Sequence, residues 1–378
     1  MDEGTAAAYE TQARKWTSMR RPRAIEDGRL AAFARRVRRG RVADLGCGPG
    51  WYAKWLRERG FDVVALDVAE AMLCEARARD PQLPLVCGDL QVLPFARHSL
   101  DGAWASACYQ HLPRSDLPVA LAHLHAALRP GAVVEITLAN LSHMIANPQR
   151  PSPVTADELA LGEAERRFDD DEFPGRLFSF YSAARVRALF VGGGFEAIRL
   201  KPLANTFWLG VRARRAHTLP DVVEPGLRLL ICGLNPSRYS ADVGVPFARP
   251  GNRFWPAMRA AKLVACERDV FGAFERGVGF TDIVKRATAG AAELDRKEYI
   301  SGLRRIEQIV RVCKPGATCF VGLDGWRAAV DRRAQPGWIE AGFGGRPAYL
   351  MPSTSGRNAR VPLAALSAHL RRAAQGPG

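Results

Sequence analysis

Short apolar runs alternate with longer segments in which apolar positions recur every three or four residues, and the alternation persists along nearly the whole chain. In the first half the runs are VADL, VVALD, LPLVC, the apolar part of SLDGAW, and RPGAVVEITLA. In the second half they are LRLLICGL, CFVGL and AYLM. Runs of this length, bounded by turn residues, predict buried strands; the segments between them predict helices packed across those strands. Regular alternation of the two predicts an α/β fold around parallel sheets. Twice a strand passes directly through a Gly-rich turn into a helix, at residues 41–60 and 227–244. Between these units lies RARRAHTLPDVVEPG, basic and then punctuated by proline, which reads as a linker. The expected division is a first domain at 1–215, a linker at 216–226 and a second domain at 227–378.

Composition narrows the class. The 378 residues suffice for two cores, and no apolar run approaches the roughly 18 residues that suggest a membrane span. The opening MDEGTAAAYETQARKW lacks the basic and then apolar order of a secretion signal. Eight cysteines without a C-x-x-C argue against zinc, an iron–sulfur cluster or a disulfide framework, and lead us to expect a reducing cytoplasm. The net charge of +15 is uneven: from Asp221 onward 24 Lys/Arg face 14 Asp/Glu, against 30 and 25 before it. A basic second half is a plausible footprint for a polyanion, although an Arg-rich solvated surface gives the same count.

In the first half, the DLGCGPG turn lets the backbone approach a ligand, and about twenty residues on Asp67 closes the next apolar run, where a carboxylate can accept from ribose hydroxyls. With GDLQVLPF, SLDGAW and LRPGAVVEITLA following in order, residues 8 to 215 resemble the class I S-adenosylmethionine-dependent methyltransferases. The resemblance implies a Rossmann-like fold and S-adenosyl-L-methionine as cofactor. It places Asp44, Gly46, Gly48 and Gly50 beside that cofactor, Asp67 on its ribose, and Asp89 and Leu90 near its adenine. Acceptor choice would lie in YETQARKWTSMRRPR, in ACYQHLPRSD and in the insert from Ser142 to Ser182, whose FDDDEF reads as a solvated loop. His111 either acts as a general base or packs against the cofactor edge. The methyl acceptor is not identified.

In the second half, GLNPSRYSADVGVPFARPGNRFW places Asn235 directly after an apolar run. A carboxamide is a poor base but orients water through its donor and acceptor, which suffices for an N-glycosidic bond that breaks largely by dissociation. Phe247 offers a stacking face, and the turn at Asn252 and Arg253 opens a helix whose N–H groups suit phosphate. Later, MPSTSGRNA supplies small hydroxyls and backbone donors suited to a phosphate backbone. These segments, with GVGFTDIVKRATAGAAEL between them, resemble the mismatch-specific uracil/thymine-DNA glycosylases over residues 225 to 375. The resemblance implies an α/β/α fold and double-stranded DNA with G·U or G·T mispairs as substrate. Asn235 would position the attacking water, Phe247 stack on the flipped base, and Ser240 line the pocket. The loop containing Ser353, Thr354 and Ser355 would contact DNA, with Arg357 intercalating. No cofactor or metal is implied for this half. Two positions depart from the pattern: Ser237 replaces a glycine, and Asp282 stands where members carry Asn or Lys. A DNA-binding module that cleaves nothing, or a methyltransferase acting on an unrelated small molecule, are the competing readings.

Overall fold

The computed structural model describes residues 1–147, 153–203, 207–358 and 360–377. They form two compact units, one of residues 1–191 and 195–216, the other of residues 192–194 and everything from His217 onward.

In the first unit β1 (Arg41–Leu45), β2 (Asp62–Asp67), β3 (Leu85–Cys87), β4 (Leu100–Ser106) and β5 (Leu128–Asn140) are the five expected runs. They lie in the order β3-β2-β1-β4-β5 and pair in parallel. Side chains alternate between two buried faces: Val42, Val63 and Trp104 pack with Leu30, Phe33 and Leu56 on one. Ala43, Leu45 and Leu66 pack with Leu121 and Leu124 on the other. Burial on both faces explains why these runs read as continuously apolar. The chain leaves β1 toward β3 and returns past it to β4, so a crevice opens at the carboxyl ends of β1 and β4. Beyond β5 come β6 (Glu163–Phe168), β7 (Arg176–Tyr181), β8 (Phe195–Pro202) and β9 (Trp208–Arg215). Here the sheet departs from the parallel expectation: β9 runs antiparallel to β5 and β8, and β6 antiparallel to β7. The connections within β6–β7 and β8–β9 are too short to hold a crossover helix, which parallel pairing requires.

The second unit is built on β10 (Leu229–Gly233), β11 (Val278–Asp282), β12 (Ala317–Val321), β13 (Gly337–Phe343) and β14 (Arg346–Met351). Their order is β11-β10-β12-β14-β13, with β13 the antiparallel edge. Every residue of β10, β11 and β12 is buried. Helix Arg296–Cys313 starts from a capping box of Asp295 and Glu298 and buries Tyr299, Leu303, Ile306 and Val310. Helix Leu363–Gln375 buries Leu366, Leu370 and Ala373.

The stretch expected as a linker is mostly folded. Leu219, Val222, Val223 and Leu227 are buried, and Val222 forms an antiparallel bridge to Phe280. Asp221, also buried, accepts from Lys285 Nζ at 2.9 Å, from Arg305 at 2.5 Å and from the Thr281 hydroxyl at 2.7 Å. The prolines that suggested a linker interrupt a segment whose apolar residues all face this sheet. Among the described residues no helix is long and apolar enough to cross a membrane.

Burial raises the pKa of Asp221, but the charges of Arg305 and Lys285 outweigh it and hold the carboxyl below its ordinary value. A depressed folded-state pKa contributes stability above the unfolded value, lost as pH falls through the folded one. Replacing Asp221 by Ala leaves two partly buried cations without their partner, at up to about 3–5 kcal/mol. Calorimetry is expected to show a lower unfolding temperature for the second unit at neutral pH, with the difference from the parent narrowing at acid pH.

Candidate functional sites

Each unit has a cavity at the carboxyl ends of its central strands. In the first, about 600 Å³ is enclosed by the Gly-rich turn, the ends of β2 and β4, the amino-terminal helix and the β6–β7 hairpin. The turn is backbone-tight for a reason: a Cβ on Gly46 would lie 2.3 Å from Cys108 Cβ, on the loop that follows β4. Asp67 lines the cavity, its Oδ2 accepting from Gly48 N at 2.8 Å and its Oδ1 from Ala69 N at 3.0 Å. Each oxygen keeps a further lone pair for a ligand hydroxyl. Gly48 and Leu90 also line it.

Three expected residues do not themselves line this cavity. Asp44 is sealed beneath the helix Trp51–Arg57, where it accepts from Ala53 N and burial pushes its carboxyl up to about 7. Gly50 serves helix packing, since a Cβ there would meet Ala76 Cβ at 2.9 Å. Asp89 pairs with the Met1 amino group.

His111 is buried between neighbours. Its Nδ1 donates to Leu177 O at 2.6 Å, which fixes the tautomer, so Nε2 accepts from the Tyr9 hydroxyl at 2.9 Å. Burial lowers its pKa to about 4. The ring is neutral at pH 7 and its basic nitrogen is already engaged, an arrangement that orients Tyr9 rather than one that waits for a proton. Beside it Gln110 lines the cavity with both amide atoms buried and unpaired, which sequence reading passed over. An orphaned amide there, a carboxylate at the end of β2 and a side-chain-free turn together fit a nucleoside ligand with polar substituents. The acceptor insert contributes Phe168, Asp171, Arg176 and Phe178 to the cavity wall, whereas its residues 148–152 lie outside the described ones. The FDDDEF loop is not simply solvated: Phe173 is buried under Lys15, Arg20 and Arg176, which lie 5.1 to 5.3 Å from its ring centre.

In the second unit a pocket of about 710 Å³ opens at the ends of β10, β11 and β14. Asn235 leaves β10 with its Nδ2 donating to Arg286 O at 2.9 Å, Thr288 Oγ1 at 2.8 Å and Pro236 O at 3.1 Å. The amide is thereby held with its nitrogen toward the protein, leaving Oδ1 as the acceptor for the pocket. Thr288 was not singled out from the sequence; it lies in the KRATAG segment and locks Asn235 while donating to Gly290 O.

Phe247 adopts a left-handed backbone, φ 57°, unusual for a bulky residue. One face of its ring stacks on Phe254, with centroids 4.0 Å apart and planes 22° apart. Ser240 Oγ accepts from Ser237 Oγ and Ala248 N, so its own proton remains to donate. Asp282, at the end of β11, lines the same pocket and is buried, which pushes its carboxyl up to about 6.

The expected DNA contacts divide. Ser353, Ser355, Arg357 and Asn252 line the pocket, with Arg357 exposed. The Arg253 guanidinium donates to Val361 O and Asn358 O, tying the 352–361 loop to the helix Phe254–Ala260. Thr354 is buried, its carbonyl accepting from Arg253 N. Asn252 Oδ1 accepts from Phe254 N, the first residue of that helix. Ala359, in the MPSTSGRNA loop, lies outside the described residues.

Comparison with known proteins agrees with this division. Residues 42–131 match the family model of the methyltransferase domain, and residues 220–374 that of the uracil DNA glycosylase superfamily. Similar solved structures include an S-adenosylmethionine-dependent methyltransferase from Mesorhizobium loti, at 27% identity over 50% of this chain and 96% of that one, TM-score 0.43. Another is the 1,6-didemethyltoxoflavin-N1-methyltransferase of Burkholderia thailandensis, solved with S-adenosylhomocysteine, at 19% over 56% and 88%, TM-score 0.38. A third is the putative methyltransferase bound to the Haloferax volcanii Trm112 activator, at 19% over 56% and 98%, TM-score 0.44. The first unit thus carries a segment that matches a methyltransferase domain, and the second a segment that matches the uracil DNA glycosylase superfamily.

Replacing Asp67 by Ala removes charge-assisted hydrogen bonds from the first cavity, each worth about 1.5–3 kcal/mol. Titration calorimetry with S-adenosylhomocysteine is expected to show affinity reduced roughly tenfold to hundredfold.

Proposed function

We propose that the second unit hydrolyses the N-glycosidic bond of uracil, or thymine, mispaired with guanine in double-stranded DNA, and that the first transfers a methyl group from S-adenosylmethionine to an acceptor held in its own cavity. The observation that carries the glycosylase reading is the locked amide of Asn235. With Nδ2 committed to three protein acceptors, Oδ1 accepts from a water and directs that water's lone pair into the pocket. A weakly activated water adds only to a sugar already developing oxocarbenium character, so the site works by placement. The base, extruded from the duplex, lies against the free face of Phe247. The water oxygen bonds to the anomeric carbon as the C–N bond breaks, the bond pair leaves with the base, and the proton the water sheds passes to solvent or to the departing base. The products are free base and an abasic site, with no covalent enzyme intermediate. Arg357, exposed at the pocket rim, is suited to the space the base vacates.

In the first unit, S-adenosylmethionine would supply an electrophilic methyl group on a sulfonium. Asp67 would hold its ribose, and Gly46 and Gly48 allow the backbone to approach. Tyr9, fixed by His111, and the free amide of Gln110 would orient the acceptor. Neutral His111 leaves the cavity without a strong base, which favours an acceptor whose attacking atom already has an available lone pair.

Incubation with duplexes containing G·U or G·T, followed by alkali, is expected to reveal strand breaks at the mispair. Asn235→Ala is expected to reduce release roughly a hundredfold or more while duplex binding persists. Binding without base release by the parent would turn the reading toward a targeting module for the methyltransferase.

A further inference from the structure

The β8–β9 hairpin of the first unit sorts its side chains by face. Ile198, Leu200, Leu209, Val211 and Ala213 pack into the larger core of that unit. On the other face of the two strands stand Glu196, Arg199, Lys201, Gly210, Arg212 and Arg214, none of them apolar. A β-bulge sets this division. The register shifts between Glu196 and Arg199, and Ala197 takes a left-handed backbone, φ 51°. With Phe195 buried in the core, strict alternation would turn Arg199 and Lys201 inward as well; the extra residue turns them out.

Cations crowd the face. Arg199 and Arg212 lie directly opposite each other on neighbouring strands, an arrangement of like charges that costs stability. Across from Arg212 on its other side is Glu135 of β5. Its Oε1 accepts from Arg212 Nε at 2.8 Å and from Arg36, on the helix Arg29–Val37, at 3.1 Å. Burial holds the Arg36 guanidinium below its ordinary pKa; Glu135 opposes that shift, and the charges of Arg212, Arg35 and Arg199 add to it. Glu196 is paired in register with Arg214 but makes no ion pair with it. Among the described residues no carboxylate comes within ion-pair distance of Arg199, Lys201 or Arg214, and all three are exposed. The face runs on to the cavity of this unit: Arg29 donates to Thr137 Oγ1 at 3.3 Å, and both residues line the cavity wall.

We propose that this face binds the phosphate backbone of duplex DNA. Guanidinium forks match phosphate oxygens, and a duplex asks only for cations set along its backbone. Other partners call for side chains that the face lacks. A protein interface has an aromatic and apolar centre, a single strand stacks its bases on aromatic rings, and a membrane surface takes up an apolar face. Phosphates seated here neutralise the crowding of Arg199, Arg212 and Arg36 and release their own condensed counterions. The face belongs to the first unit, so this binding is separate from any made by the pocket of the second and does not depend on base release there.

The test is the affinity of the full chain for a fully paired duplex, measured by fluorescence anisotropy between about 50 and 200 mM salt. The variant Arg199→Gln/Arg214→Gln removes two phosphate contacts, and its plot of log affinity against log salt is expected to be shallower than the parent's by about 1.8. Arg199→Lys/Arg214→Lys keeps both charges and is expected to hold the parent slope. So is Arg59→Gln/Arg77→Gln, which removes two charges near β2 and β3, at the far side of the sheet. Acetylation of Lys201, read by mass spectrometry, is expected to slow severalfold when duplex is added. The parent slope persisting in Arg199→Gln/Arg214→Gln would place the duplex on the second unit alone and overturn the proposal. An equal change of slope in Arg59→Gln/Arg77→Gln would reduce the effect to net charge and overturn it too. Capture of the parent by phosphatidylserine vesicles but not by duplex would assign the face to a membrane, with the same consequence.

Discussion

The site of the second unit depends on how closely three segments can approach the carboxyl end of β10. Gly233 has no side chain, and into the space a Cβ would fill come the Asp282 carboxyl and the Phe247 ring edge. Two residues on, Asn235 turns away from the sheet and is caught by the carbonyl of Arg286 and the hydroxyl of Thr288. The Asn235 amide, the Phe247 ring and the Asp282 carboxyl therefore come from three segments that converge at the end of β10. The left-handed backbone at Phe247 costs about 1–2 kcal/mol. Its stack on Phe254 and the neighbouring Trp255 indole donating to Pro246 O hold the conformation.

The first unit obeys a related constraint with different groups. Gly46 admits Cys108 against the turn after β1, and Asp67 straightens the turn by accepting from Gly48 N. In both units the chain reverses its direction of winding beside the central strand, and a cavity opens there. The two proposed chemistries share a low demand for acids and bases. A sulfonium carries its own leaving group, and a glycosidic bond that breaks dissociatively needs little from its nucleophile. Placement contributes most in each, which is why amides and hydroxyls outnumber ionised groups around Asn235 and why His111 is tolerated as a neutral, fully engaged ring.

Eight strands were legible as apolar runs, most of them buried on both faces; β6 to β9, β11 and β13 carry too many polar or glycine positions to stand out as apolar runs. Asn235, Asp67, Gly46 and Gly48 stood out because strand-end chemistry is local: a residue after an apolar run in an α/β unit faces the crevice. What escaped reading was set by distant partners. Arg253 looks like any helix-start arginine until Asn358 and Val361 supply carbonyls to its guanidinium. Asp44 sits in a cofactor-type motif, yet its orientation is decided by the helix that follows. The 216–226 segment has a linker's composition, but its few apolar residues are all used and Asp221 anchors a buried ion network. Phe173 disappears among acidic neighbours in the sequence and is found under three cations in the fold.

The central claim is that Asn235 holds water against the anomeric carbon of a nucleotide extruded onto Phe247. It is tested most directly by the crystal structure of the chain with a G·U duplex containing 2′-fluoro-2′-deoxyuridine, whose electron-withdrawing fluorine resists cleavage. The account predicts the uracil ring parallel to Phe247, its edge toward Asp282, and a water bridging Asn235 Oδ1 and C1′. A uridine still stacked in the duplex, or an Asn235 amide with its nitrogen rather than its oxygen toward the sugar, would contradict it.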